Sequence, residues 1–226
     1  MEEPKILFED ADIIVVNKPS GLIVYPDGKH DYPALSSWLE TKLKGSMDEK
    51  FFFVHRIDRE TSGVLVVAKN PTTHEFLKRQ FQDREVKKVY RAFVYGALRD
   101  ERGTINKPIG SARGGQGPRS ATRPHGVERE AITMWRRVAS GQGCSYLEAF
   151  PQTGRTHQIR VHFSAIQHPI VCDTLYAPRR TPMLGFNRLA LHALSVALVH
   201  PNGTPMKFDA PLPDDFLVAE QKLREE

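Results

Sequence analysis

His55-Arg56-Ile57-Asp58-Arg59-Glu60-Thr61-Ser62-Gly63, followed at once by Val64-Leu65-Val66-Val67-Ala68, reads as a charged loop turning into a strand. The apolar run is short and unbroken, which suits a strand inside a sheet. Thr61-Ser62-Gly63 forms the turn into it, and Asp58 sits on the loop between Arg56 and Arg59. The reading is of one acidic group at a sheet edge in a positive field. Such a field favours the charged carboxylate and attracts an anionic polymer. Taken alone, the run reads equally as a surface loop with an exposed ion pair, which contributes little.

Working outward, 226 residues suffice for one sizeable core. With 40% apolar and 26% charged residues the composition is that of a globular protein, not a disordered one. A formal net charge of +5 is moderately basic and compatible with a nucleic-acid partner. Cys144 and Cys172 form neither a disulfide framework nor a CxxC pair, so a reducing, cytoplasmic setting is expected. The start, Met1-Glu2-Glu3-Pro4, lacks the apolar core of a signal peptide. The stretch from Leu189 to Val199 is interrupted by His192 and is too short to cross a bilayer. A soluble protein without a membrane partner is expected.

Ile6–Phe8 and Ile13–Val16 read as β segments around the turn Glu9-Asp10-Ala11-Asp12, and Asn17-Lys18-Pro19-Ser20-Gly21 breaks the chain. Apolar residues at 35, 38, 39 and 43 predict a helix over 35–43. A second helix is predicted over 73–81, with Phe76, Leu77 and Phe81 inward and Lys78 and Arg79 outward. Strands are expected over 89–94, 131–138 and 145–150, with closing strands over 189–199 and 206–208. Thr156 is the expected N-cap of a helix carrying Ile159, Phe163 and Ile166 on one face. Strands and helices in this mixed order predict an α+β fold with a largely antiparallel sheet flanked by helices and loops.

Three further stretches carry candidate chemistry. Gly110 to Gly126 holds five glycines, two prolines and Arg113, Arg119 and Arg123, with no acid. It is expected to be a solvated loop, or one that orders on a phosphate backbone. In Gln152-Thr153-Gly154-Arg155-Thr156-His157-Gln158-Ile159-Arg160-Val161-His162, four polar side chains (Arg155, His157, Gln158, Arg160) cluster where a turn enters a helix. Arg and Gln offer directed donors, and helix N-terminal amides favour anions. In Lys87-Lys88-Val89-Tyr90-Arg91-Ala92-Phe93-Val94-Tyr95-Gly96, Tyr90 shares a strand face with Ala92 and Val94. It is either a core aromatic or a stacking platform for an extruded base.

Together these blocks resemble the RluA family of pseudouridine synthases. His55-Arg56-Ile57-Asp58 with Thr61-Ser62-Gly63 resembles its catalytic motif, and Lys88-x-Tyr90-x-Ala92-x-Val94-x-Gly96 its tyrosine motif. Thr153-Gly154-Arg155-Thr156-His157-Gln158-Ile159-Arg160-Val161-His162 is similar to the third. The flanks agree: Asn17-Lys18-Pro19-Ser20-Gly21, His168-Pro169-Ile170, Asp173-x-Leu175-Tyr176, Leu191-His192-Ala193, His200-Pro201 and Ala210-Pro211-Leu212-Pro213. The likeness runs in order from about residue 6 to about 216, and Tyr25, Ile57 and Cys172 depart from the family's usual residues.

The resemblance implies one pseudouridine synthase catalytic domain over 1–226, without the N-terminal S4 domain that many members carry. It implies isomerisation of uridine in ribosomal or transfer RNA, with no cofactor, no metal and no obligate protein partner, in a monomer acting on an RNA stem-loop. The N1–C1′ bond breaks and a C5–C1′ bond forms. Asp58 then matches the essential carboxylate, acting on the sugar as nucleophile, charge stabiliser or base. Tyr90 matches the aromatic that stacks on uracil, and Arg160 the basic residue that pairs with the aspartate. Arg56 matches the side chain that fills the gap left by the flipped uridine. Arg155, His157 and Gln158, with Arg113, Arg119 and Arg123, are the expected RNA contacts. A glycosidase would use two carboxylates around the scissile bond, and here one motif acid lies among basic partners. A non-catalytic RNA-binding relative would be expected to have lost Asp58 or Arg160. His157, His162 and His168 lack the spacing of a helical metal pair.

Overall fold

The unbroken runs Ile13–Val16 and Val64–Ala68 are almost wholly buried in the computed structural model, as expected of strands covered on both faces. The structure describes residues 2–26, 28, 30–44, 50–111, 119–122 and 125–224. They form an α+β fold of mixed, largely antiparallel strands and, among the described residues, four helices. The chain divides into two compact units, Met1–Lys88 with Ala193–Pro211, and Val89–His192 with Leu212–Glu226.

The first unit begins with β1 (Lys5–Glu9), β2 (Ile13–Lys18), α1 (Leu35–Leu43), β3 (Phe52–Phe53), β4 (Ser62–Ala68) and α2 (Pro71–Gln82). β2 pairs antiparallel with β1 and with β4, Val15 facing Val66, and β3 pairs with the far end of β4. Helix α1 spans the predicted residues and buries Leu35, Leu39 and Leu43. Helix α2 starts two residues earlier than its apolar pattern predicts. Pro71 opens it without needing an amide partner, and the Asn70 side chain accepts from the Thr73 N–H at 2.8 Å. Its inward face is Thr73, Leu77 and Gln80. The expectation that Phe76 points inward is corrected, since it is 37% exposed. Gln80 takes the inward place because its amide both donates to and accepts from the Val199 backbone, at 2.8 Å each way.

β5 (Lys87–Tyr95) leads into the second unit, which continues with β6 (Arg102–Asn106), β7 (Ile109–Ser111), β8 (Arg119–Ser120), β9 (His125–Arg129), β10 (Ile132–Gly141), β11 (Cys144–Pro151) and α3 (Gln158–Ala165). β5, β11, β10 and β6 pair antiparallel in that order, with Tyr90 opposite Ala149 and Trp135 opposite Gly103. The β10–β11 hairpin turns on Gln142 and Gly143, both at positive φ (50° and 71°), as a two-residue primed turn requires. β8, β7 and β9 form a separate three-stranded antiparallel sheet. The described ends of Gly110–Gly126 are therefore strands rather than plain loop. Arg113 and Arg123 lie outside the described residues.

β12 (Leu191–Val199) starts in the second unit and from Ala193 belongs to the first, where β13 (Pro205–Asp209) pairs with it antiparallel. Helix α4 (Asp214–Arg224) ends the second unit, a helix that the sequence reading did not predict. Its signals are plain afterwards: Asp214 and Asp215 in the first turn, Lys222 and Arg224 in the last, and Phe216, Ala219 and Leu223 buried at helical spacing. In the core of this unit Phe93 stacks on Tyr146 with ring centres 4.3 Å apart and meets Phe216 edge-on at 5.6 Å.

Candidate active site

Asp58 stands half-buried on the loop between β3 and β4, beside the buried Ile57. Its carbonyl accepts from the Thr61 N–H at 3.1 Å, closing the turn. Lys18, wholly buried, donates its ammonium to the carbonyls of Leu22 (2.7 Å), Pro19 (3.0 Å) and Arg59 (3.2 Å). The Gly21 N–H also donates to the Arg59 carbonyl at 2.8 Å, and the Ser20 hydroxyl to the Glu60 carbonyl at 2.6 Å. The flank Asn17–Gly21 is thus a cradle that pins the loop from below. Gly63 has no substitute there. It sits at φ +117°, and a Cβ would fall 2.2 Å from the Ala193 carbonyl oxygen.

The two arginines beside Asp58 are differently placed. Arg56 is exposed and lies over the Tyr25 ring at 5.7 Å. Arg59 is held by the Glu60 carboxylate at 2.8 Å and lies 4.1 Å from the centre of the Tyr32 ring. His55, which opens the motif, faces inward. Its Nε2 accepts from the Val66 N–H at 2.9 Å and its ring stacks on Phe81 at 4.6 Å. Accepting that bond requires a neutral imidazole. Desolvation, with help from the Lys88 charge, pushes the His55 pKa down to about 3, and desolvation pushes Lys88 down to about 8.

Both shifts disfavour the charged form in the folded state, so both make stability rise with pH. For His55 the penalty is absent above the free-histidine value of 6.5 and grows as pH falls from 6.5 toward 3. For Lys88 it builds as pH falls from 10.5 to about 8 and stays constant below. Urea unfolding should show about 2 kcal/mol less stability at pH 5 than at pH 7 from His55, a loss that His55→Gln reduces. Equal pH slopes for the two proteins would refute this.

In the second unit, Tyr90 is half-buried on β5 against the core of that unit. The third motif is cross-linked by Gln158, which is only 4% exposed. Its amide oxygen accepts from the Thr153 hydroxyl (2.7 Å) and the Arg155 N–H (3.0 Å), while its nitrogen donates to the Ile132 carbonyl (3.0 Å) and the Thr133 hydroxyl (3.1 Å). Gln158, expected to contact RNA, is thus engaged inside the protein. Arg155 is at the surface side of this turn and donates Nε to the Glu130 carbonyl at 3.0 Å. Thr156 is not the N-cap. The helix starts after His157, which takes φ +57° and makes no side-chain cap. The anchoring done elsewhere by a cap is done here by Gln158.

Arg160 and Asp173 are both buried, at 3% and 1% exposure. Arg160 donates Nε and Nη2 to the two carboxylate oxygens at 2.8 and 2.9 Å, a bidentate fork. Asp173 Oδ1 also accepts from the Leu175 and Tyr176 N–H groups, both at 3.0 Å. Sequence reading noted Asp173 only as a flank and missed its part in fixing Arg160. Arg119 is exposed and bonds the Ser111 hydroxyl through Nη1 at 3.2 Å. Among the described residues no cluster of three or more His, Cys, Asp or Glu is arranged to hold a metal ion, and no helix is long and apolar enough to cross a membrane.

The family model for RNA pseudouridylate synthase matches residues 12–165, a stretch that includes Asp58, Tyr90 and Arg160. The chain belongs to that family, and it is an RNA pseudouridine synthase, an isomerase. It is 38% identical over 224 residues to an uncharacterized RNA pseudouridine synthase YlyB of Bacillus subtilis, covering 97% of this chain and 72% of that protein. It is 37% identical to ribosomal large subunit pseudouridine synthase D of Pseudomonas aeruginosa, covering 99% and 73%. Among solved structures, human RNA pseudouridylate synthase domain containing 4 superposes with a TM-score of 0.80 at 27% identity, covering 97% of this chain and 92% of that one.

Proposed function

We propose that this synthase converts specific uridines of structured ribosomal or transfer RNA to pseudouridine, with Asp58 as the catalytic carboxylate. The observation that carries this reading is the pinning of the Asp58 loop. The buried Lys18, Gly21 and Ser20 hold the carbonyls of Arg59 and Glu60, directly after the aspartate. A carboxylate held in one place can act on a sugar carbon without reorganising during the reaction. The target uridine leaves its stack to reach it. Tyr90 stacks on the uracil, Arg160 supplies a fixed positive charge, and the exposed Arg56 takes the space that the base vacates. Arg155, His157 and the arginines of 113–123 hold the RNA backbone, and Gln158 serves them by fixing the turn. The reaction needs no external reactant. The glycosidic bond to N1 breaks, a bond from C1′ to C5 forms, the C5 proton leaves and N1 gains one.

Curated relatives named for the large ribosomal subunit favour ribosomal RNA as the substrate. RNA carrying tritium at uridine C5 tests this directly. Large-subunit ribosomal transcripts should release tritium and keep pseudouridine in the chain at defined positions. Transfer RNA as the sole substrate would correct the target. Release of free uracil, or no tritium release from either RNA, would overturn the reading.

A further inference from the structure

Tyr176 joins three groups that the proposed mechanism uses separately. Its hydroxyl accepts from the Arg119 backbone N–H at 3.1 Å and bonds His157 Nδ1 at 3.0 Å. The face of its ring carries the Arg160 guanidinium, 5.4 Å from the ring centre. Its own N–H donates to Asp173 Oδ1, on the carboxylate that clamps Arg160. The side chain is packed against Ile109, Ala131 and Val161, which restricts its movement. At the other end of the bond, His157 sits at φ +57° at the start of α3, a conformation that a non-glycine residue keeps only when its surroundings hold it.

We propose that Tyr176 is a positioning residue that couples the β8 strand bearing Arg119 to His157 and Arg160. The proposal rests on the reading of Arg119 and Arg160 given above. The two halves of the side chain have separate tasks. The hydroxyl holds the Arg119 backbone, and so keeps a two-residue edge strand, paired with β7, where the Arg119 guanidinium meets a phosphate. The ring supports one face of the Arg160 guanidinium while Asp173 holds its edge. RNA binding and the catalytic arginine are thereby set by one residue that touches neither the base nor the sugar.

Substitutions separate these tasks in the full-length chain. Tyr176→Phe keeps the ring and changes no charge. Its RNA affinity, measured on a ribosomal stem-loop with Asp58→Asn also present, should fall about five- to tenfold, the effect of one lost hydrogen bond. The slope of log affinity against log salt should flatten by roughly 0.7 to 0.9, as for one lost phosphate contact, and Arg119→Gln should do the same. The double variant Tyr176→Phe with Arg119→Gln should bind no more weakly than the worse single variant. The single-turnover rate of Tyr176→Phe at saturating RNA should stay within about twofold of wild type, whereas Tyr176→Leu, without the ring, should lose about tenfold or more. Independent, multiplying effects of the two single substitutions, or an unchanged salt slope in Tyr176→Phe, would overturn the coupling. If Tyr176→Leu does not fold, the Phe and Gln variants decide. Coupled binding in a protein that releases no tritium would leave Tyr176's role standing and sink the proposed reaction instead.

Discussion

Asp58→Asn should give a folded protein that still binds RNA and makes no pseudouridine. The substitution keeps the size and shape of the side chain and removes its charge. The contacts that hold the loop run through backbone groups: the Asp58 carbonyl to Thr61, and the Arg59 and Glu60 carbonyls to Lys18, Gly21 and Ser20. None of these depends on the carboxylate, so these backbone contacts persist in the variant. What is lost is the group proposed to act on the sugar, and losing such a group costs on the order of 10⁴-fold or more in rate. Single-turnover tritium release reads the loss, while filter binding reads an RNA affinity within about threefold of wild type. Release at the wild-type rate would remove Asp58 from the chemistry. Loss of affinity together with rate would instead make it a structural residue.

The second large effect is on stability. Asp173→Ala should destabilise the protein by about 3–5 kcal/mol, because Arg160 stays buried with neither oxygen of its fork. The Leu175 and Tyr176 amides lose their acceptor in the same change, which adds to the cost. Replacing both partners, Asp173→Leu with Arg160→Met, should recover much of the stability and none of the activity, since two apolar side chains leave no orphaned charge. Urea unfolding measures both variants. A cost below about 1 kcal/mol for Asp173→Ala would mean that the ion pair does not organise this part of the second unit.

The α+β character and helix α1 were legible because they depend on local pattern: unbroken apolar runs for β2 and β4, and a 3.6-residue period for Leu35–Leu43. Phe76 was misread because a period identifies an apolar stripe without saying which residue meets the core. Gln80 displaced it through two hydrogen bonds to Val199, a residue 119 positions away. Thr156 was misread as a cap for a related reason. The turn before α3 is held by Gln158 reaching back to Ile132 and Thr133, and cap chemistry at one position does not reveal that.

The opening motif divides in the same way. Residue order placed Asp58 between Arg56 and Arg59 just before the Thr61-Ser62-Gly63 turn, since residue type and spacing encode charge and turn geometry directly, while the expected roles of Asp58 and Arg56 came from the family resemblance. Arg59 forms a partly exposed ion pair with its neighbour Glu60 and lies against the Tyr32 ring. Only the tertiary structure decided that Lys18 is the buried brace beneath the loop, that Gly63 is required by the Ala193 backbone, and that Asp173 is the carboxylate that clamps Arg160. Those are contacts between distant segments. Their strength comes from burial, which desolvates the groups and leaves each one dependent on the partner that folding brings to it.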